Sequence, residues 1–342
     1  MSPKILTIIG AFLAGIICGF FKINSPKIKF WHEKIYQFCV IFLLFKIGFS
    51  GGREIFSAEK IFLSGTIVIF LSIIWTFLVS ILISRSKFSR AEKISIAVHF
   101  GSVSIGTFIA AVSFLDALQI PLGPSATIWI ALMEFPAIFF GMKKLKINFS
   151  QIFFVFKKDW KLIILPAAIF FGFFFGEKFF AINYFLENFL TPFLFYFLFE
   201  IGRKAAKSLP ELRQKINSIF FVGIFLPLIG GLFGAAAGTF LKYEIGNIFI
   251  LSILLASASY ILAPLCMQEF FKIARVENPA KITATATALS VGIVLPFNIL
   301  CGFEIYFFAI KIFQNYQIFA AAAFLLPFFL AAIIFFRQKF SN

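Results

Sequence analysis

The chain has 342 residues, of which 61% are hydrophobic, 20% aromatic and only 13% charged, and its formal net charge is +16. Soluble globular proteins contain about 25% charged residues. This composition, with a mean hydropathy of +0.99, therefore excludes a soluble enzyme, a disordered protein and a nucleic-acid-binding protein. The Lys and Arg residues lie in short segments between apolar runs, which is typical of a protein with several spans in a lipid bilayer.

A membrane-spanning helix needs about 20 apolar residues. A scan for such runs predicts eleven spans, at 5–21, 35–50, 61–84, 94–115, 124–142, 162–176, 186–202, 217–241, 246–271, 282–310 and 317–336.

The basic residues predict the orientation of these spans. Of the 31 Lys and Arg residues, 24 fall on one side of the membrane when the spans are threaded in order, and six fall on the other. Because the side rich in Lys and Arg is cytoplasmic, we expect a multi-pass protein of the inner (plasma) membrane. Its N-terminus is predicted to lie outside and its C-terminus in the cytoplasm.

Short motifs of the first half return in the second half at nearly one offset. The sequence LFKIG at 44–48 returns as LFEIG at 198–202, and the run Ser-Val-Ser at 102–104 corresponds to Ser-Ala-Ser at 257–259. The glycines at 15 and 19 likewise have counterparts at 172 and 176. Matches in the same order at one offset indicate an internal duplication.

Each predicted repeat has five spans, and an odd number of spans inverts the second copy in the membrane. We therefore predict an all-α polytopic membrane protein with residues 1–155 as the first five-helix repeat and 156–310 as the second, inverted repeat. Residues 311–342 form an extra C-terminal transmembrane helix. Inverted repeats are typical of secondary transporters.

Spans four and nine lose their apolar pattern at their midpoints, where Gly and Ser residues, followed in span nine by Pro264, are typical of a helix break. Two broken helices in inverted repeats would bring two helix N-termini face to face, and each N-terminus attracts negative charge. The predicted anion-binding residues are Ser102, Ser104, Gly106, Thr107, Ser257, Ser259 and Tyr260. The alternative is that these small residues only let helices pack closely.

Glu134 is predicted at the centre of span five, and an ionisable group there is costly unless it has a function or a partner. It could bind a cation or carry a proton, or it could pair with another helix. Hydroxyl and amide oxygens suit a hard cation such as sodium, which adds Thr283, Thr287 and Asn298 to the predicted sodium ligands. Lys46 and Glu200 occupy equivalent repeat positions and could pair with each other, or each could extend toward the membrane surface.

Three stretches resemble the sodium-dependent bicarbonate transporter family. They are FLLFKIGFSGG at 42–52, the FGSVSIGT and MEFPA motifs within 100–137, and the SASYILAP and ENPAKITATAT motifs within 257–287. The similarity continues in collinear order through about the first 310 residues. It implies a ten-helix inverted-repeat core, a homotrimer, and sodium-coupled uptake of bicarbonate held between the two broken helices.

By position, the resemblance assigns Ser104 and Thr107 to the first broken-helix motif. It assigns Ser257, Ser259 and Pro264 to the second, and Thr287 to the helix that follows.

This chain departs from the family pattern at three positions. The family has Asp where Tyr260 stands, Ser where Leu262 stands and Asp where Glu134 stands. The Tyr260 change leaves the sodium stoichiometry and the substrate open. The long cytosolic linker of the family is missing, so the resemblance leaves open whether a cytosolic signalling protein regulates this chain.

The leading hypothesis is therefore a symporter of sodium and bicarbonate, with sodium as the coupling ion and no other cofactor. A sodium- or proton-coupled transporter of another small anion or carboxylate is the first alternative. A non-transporting structural or receptor protein is the second, although it would not need polar breaks at matching positions. An enzyme is not expected, because motifs of intramembrane catalysis such as HExxH and GxGD do not occur in the sequence.

Overall fold

The computed structural model describes residues 3–21, 25–54, 61–123, 125–148, 150, 161–176, 180–208 and 216–339. Within these ranges the fold is all-helical. The helices are α1 (Pro3–Phe20), α2 (Pro26–Glu54), α3 (Ile61–Leu82), α4 (Arg90–Gly101), α5 (Ile105–Ala117), α6 (Ser125–Leu145), α7 (Lys161–Phe175), α8 (Phe180–Ser208), α9 (Ile216–Phe240), α10 (Ile245–Ala256), α11 (Leu262–Ile273), α12 (Pro279–Asn315) and α13 (Gln317–Lys339).

Eight helical segments of the described chain are long and apolar enough to cross a membrane. Three further apolar helices are shorter, at Ile9–Phe20, Pro166–Phe175 and Ile245–Ala256. The prediction of a multi-pass, all-helical protein is confirmed. The prediction of eleven full-length spans is confirmed only in part, because eight of the described helical segments are long enough to cross a membrane. The ninth predicted run, 246–271, is divided into α10 and α11.

The tenth predicted run, 282–310, lies within one continuous helix that extends from Pro279 to Asn315. Proline lacks the N–H group that an α-helix needs and disturbs the preceding turn. Around Pro296 the helix accommodates this by two π-helical turns, Ser290–Val294 and Asn298–Gly302. The second π-turn begins with Asn298, which places its amide side chain in the buried interior.

Two helix pairs pack closely along one side of the molecule, α1 against α8 and α2 against α7. Glycine makes this approach possible. A Cβ on Gly15 of α1 would overlap the carbonyl oxygen of Phe199 in α8, and a Cβ on Gly172 of α7 would overlap that of Phe49 in α2. The glycines that repeat in the sequence therefore lie at corresponding helix contacts.

The broken helices α4–α5 and α10–α11 form the centre of the fold. In the most apolar 18-residue window of Arg90–Ala117, 94% of the residues are buried. Helices α3, α6 and α12 pack around it, and α13 lies outside them against α9 and α3.

The location and the ion-pair partners of the charged residues in α8 differ from those predicted. Helix α8 continues beyond the predicted end of its span at residue 202, and Arg203, expected in a cytoplasmic loop, is buried in it. Arg203 Nε donates to Glu200 Oε2 at 2.6 Å, and Nη2 also contacts Glu200. Lys46 Nζ lies 3.3 Å from Glu187 Oε1. The suggested pairing of Lys46 with Glu200 is therefore wrong.

Candidate functional site at the crossing of two broken helices

The first break separates α4 from α5. Helix α4 ends at Gly101, and Ser102 is extended, with φ −91° and ψ 170°. Ser104 then starts α5 as its N-cap. Its Oγ accepts hydrogen bonds from the Thr107 backbone N–H at 3.1 Å and from Thr107 Oγ1 at 2.8 Å. An N-cap serine satisfies an N–H group that the first helical turn cannot satisfy itself.

The second break separates α10 from α11 and has nearly the same geometry. Ser257 follows the end of α10 with φ −91° and ψ 167°, within a few degrees of Ser102. Ser259 Oγ accepts the backbone N–H of Ala263 at 3.3 Å, in the first turn of α11. The two Ser-x-Ser runs therefore have corresponding structural roles. In each run the first serine follows the end of one helix, and the second serine contacts the start of the next helix.

The two breaks are hydrogen-bonded to each other. The backbone N–H of Ser104 donates to Ser257 Oγ at 3.0 Å, and the backbone N–H of Ser259 donates to the carbonyl oxygen of His99 at 2.7 Å. Ser102, which adjoins this contact, is fully buried, and the other three serines are at most 2% exposed. The structure therefore brings the predicted serines of both halves together in one buried crossing.

Polar side chains of α3 and α12 form hydrogen bonds with the last carbonyl groups of α4 and α10, the helices that lead into the two breaks. Ser72 Oγ of α3 lies within hydrogen-bond distance of two carbonyl oxygens, that of Gly101 at 3.1 Å and that of Met133 at 3.0 Å, which share its single proton. Asn298 Nδ2 of α12 donates to the Ala256 carbonyl at 3.0 Å, and Asn298 Oδ1 accepts from Tyr306 OH at 3.2 Å. Because buried helix ends need such partners, the two breaks are fixed parts of the fold.

The hydroxyl group of Ser102 at the crossing is buried without a hydrogen-bond partner. A buried hydroxyl left without a partner is costly. The Tyr260 hydroxyl extends from the second break to the first turn of α5, where a Cβ on Gly106 would collide with it. There it interacts with Ser104, with the Gly106 backbone and with Tyr36.

This arrangement suits a small anion. The first N–H groups of a helix have no partner in the helix, and the aligned peptide dipoles give its N-terminus about +0.5 of an elementary charge. The crossing supplies two such N-termini together with the hydroxyls of Ser102 and Tyr260. An oxyanion could accept hydrogen bonds from both halves without a lysine or arginine side chain.

The predicted sodium ligands are not gathered at one point by any contact in the described structure. Thr283 and Thr287 donate to carbonyls one turn earlier in α12, both at 2.9 Å, and Thr287 Oγ1 also lies 3.4 Å from His99 Nε2. Both ends of the Asn298 amide are already hydrogen-bonded, Nδ2 to the Ala256 carbonyl at the second break and Oδ1 to Tyr306 OH. Glu134, by contrast, is buried with its Oε1 unpartnered and lies near Cys266 of α11.

Glu134 is thus the predicted cation ligand that the fold leaves available. It directly follows Met133 in α6. The Met133 carbonyl and the Gly101 carbonyl at the first break both lie within hydrogen-bond distance of Ser72 Oγ. Among the described residues, no group of three or more His, Cys, Asp or Glu side chains could hold a metal ion. The sodium site remains a prediction.

Sequence reasoning missed three residues of this site. Ser72, Tyr36 and Tyr306 lie outside the repeated motifs, in helices that carry several other polar residues. The sequence alone therefore does not indicate which of these polar side chains reaches a helix break.

Comparison with known families gives one match. The sequence profile of the Na+-dependent bicarbonate transporter superfamily matches residues 7–311. Comparison with curated proteins gives no significant match.

Proposed function

The chain belongs to the Na+-dependent bicarbonate transporter superfamily, and on that basis we propose that it imports a small anion, bicarbonate first, together with sodium. Members of this family are transporters and not enzymes. The substrate and the coupling ion are the parts of this proposal that need experiments.

The observation that carries the proposal is the buried crossing of two broken helices. Transport requires a site that binds the anion at mid-membrane and can be opened to either side. Discontinuous helices whose N-termini meet an anionic group are a recurring solution in secondary transporters. The unpartnered Ser102 hydroxyl supplies a further donor at that point, and the Tyr260 hydroxyl lies at the start of α5.

Alternating access needs two helix groups that move relative to each other. The corresponding packing of α1 on α8 and of α2 on α7 supports two inverted repeats of five spans. So does the matching backbone geometry at Ser102 and Ser257. We propose that these four helices form one group and that the crossing, with α3, α6 and α12 around it, belongs to the other.

A second substrate class is favoured by Tyr260. Its neutral phenol stands where the family has a carboxylate, which removes a negative charge from the crossing. A site with less negative charge would accept other small anions, including short carboxylates. The non-transporting alternative is less suited to a crossing that leaves the buried Ser102 hydroxyl without a partner.

Uptake of labelled bicarbonate into proteoliposomes with an inward sodium gradient tests the substrate class. Unlabelled bicarbonate should compete, whereas formate and acetate should compete weakly. Strong competition by a carboxylate would identify that anion as the substrate, and uptake of none of these anions would contradict the proposal.

The orientation is a separate prediction. In a variant without native cysteines, a single cysteine at position 119 should react with a membrane-impermeant thiol reagent added to intact cells. A cysteine at position 150 should react only after the cells are opened, because residues 143–161 are rich in lysine and are expected in the cytoplasm. The opposite labelling pattern would invert the proposed topology.

A further inference from the structure

A lipid-sized groove lies on the outside of the protein between α3, α6 and α13. Its volume is about 980 Å³, and its lining is almost wholly apolar. Aromatic and aliphatic side chains form its walls, among them Phe77, Phe139 and Phe335. Small residues of α13, Ala331 and Ala332, leave it open.

The groove has the length of one leaflet of a bilayer. On α6 its lining extends from Leu132 to Lys143, and the eleven helical steps between these residues cover about 17 Å. The hydrocarbon core of a bilayer is about 30 Å thick, so this groove covers about half of it. On α3 and α13 the lining residues also lie in the C-terminal part of each helix, at 69–81 and 328–336.

One end of the groove is positively charged. Lys143, in the last turn of α6, is the charged residue among the described residues that line it, and Lys144 follows. The proposed topology places this end at the cytoplasmic surface. The site therefore combines an apolar groove that covers one leaflet with a cation at the level of the lipid headgroups.

We propose that this groove binds an anionic phospholipid of the inner leaflet. An acyl chain would lie along α3, α6 and α13, and its phosphate group would contact Lys143. A membrane protein's outer face is in contact with lipid, and the charge of Lys143 selects an anionic headgroup. Helix α13 forms one wall and lies beyond residues 7–311, which the family profile matches.

The floor of the groove is connected to the first helix break. Thr76 lines the groove, and a Cβ on Gly101 would collide with its side chain. One turn earlier, Ser72 holds the Gly101 carbonyl. A lipid in the groove would therefore lie against the residues that support the crossing.

Native mass spectrometry of the delipidated full-length protein tests lipid binding without any transport measurement. Phosphatidylglycerol and phosphatidylcholine with the same acyl chains are titrated separately. We expect one tightly bound phosphatidylglycerol per chain and weaker binding of phosphatidylcholine. Lys143→Gln should weaken phosphatidylglycerol binding about fivefold, which is about 1 kcal/mol for one cation near an anionic headgroup.

Ala332→Trp should remove the bound lipid by filling the groove. Two matched controls should bind it as the wild type does. Leu325→Trp introduces the same indole side chain on an exposed face of α13 outside the groove, and Lys242→Gln removes a cation from the loop before α10. Each variant is first checked for unchanged helicity and thermal unfolding.

Several results would overturn the proposal. Equal binding of the two lipids, or unchanged phosphatidylglycerol binding in Lys143→Gln, would show that the headgroup does not contact Lys143. Unchanged binding in Ala332→Trp would place the lipid elsewhere. A change of oligomeric state in Ala332→Trp, without a change in lipid binding, would identify a second copy of the chain as the occupant.

Discussion

Replacing Ser104 or Ser259 with leucine is expected to abolish anion uptake while the protein stays folded in the membrane. Each serine is buried at the crossing and contacts the first turn of the helix that follows it. A leucine side chain removes that hydroxyl and places a larger apolar group between the two breaks. The loss should be at least 100-fold, down to the rate of empty liposomes.

The expected cost of these changes in folding free energy is moderate. Losing an N-cap serine costs about 1 kcal/mol, and overpacking a buried site costs about 1–3 kcal/mol. Ser80→Leu is a matched control, because Ser80 Oγ only donates to the Phe77 carbonyl in its own helix. Its uptake should equal that of the wild type. Normal uptake in both Ser104→Leu and Ser259→Leu would exclude the crossing as the anion site.

Glu134→Gln is expected to raise the sodium concentration for half-maximal uptake by about tenfold or more. The substitution preserves the shape of the side chain and most of its hydrogen bonding but removes the charge. A cation in a buried, poorly screened site is stabilised strongly by a carboxylate. A tenfold change corresponds to about 1.4 kcal/mol of lost binding free energy. Anion affinity at saturating sodium should change much less.

Glu304→Gln is the control for this experiment, because Glu304 is an exposed carboxylate on α12. Its sodium dependence should equal that of the wild type. An unchanged sodium dependence in Glu134→Gln would make the carboxylate structural. The coupling ion would then have to be held by carbonyl and hydroxyl oxygens, with Thr283 and Thr287 as the first to test.

The breaks themselves could be predicted from the sequence because they depend on local composition. Gly, Ser and Pro interrupt an apolar helix wherever they cluster, and the repetition of Ser-x-Ser at one offset identified the two runs as counterparts. The structure confirms that both runs are non-helical and that they meet.

The contacts of individual polar side chains could not be predicted, because they depend on which helices become neighbours. Asn298 was assigned to sodium, yet its amide holds the carbonyl of Ala256, a residue 42 positions away. Arg203 was expected in a loop because a hydropathy scan ends a span at its first cation. Its pairing with Glu200 one turn earlier allows it to be buried.

Tyr260 is the clearest case of a residue whose place was predicted but whose direction was not. The sequence located it in the second break, and its hydroxyl is in fact found at the start of α5, in the first break. The direction of an aromatic side chain across a crossing depends on its neighbours in the fold, and Phe197 and Ile201 approach the same position at Gly106 as the Tyr260 hydroxyl does. Those neighbours come from α8, far away in the chain.

Accumulation of labelled bicarbonate inside sealed proteoliposomes, driven by an inward sodium gradient alone, tests sodium-coupled anion import most directly. The measurement is made at alkaline pH so that little carbon dioxide leaks across the bilayer. The proposed function predicts that internal bicarbonate rises above the external concentration and falls back when a sodium ionophore dissipates the gradient. Entry that stops at the external concentration, or that is the same with and without the sodium gradient, would contradict it.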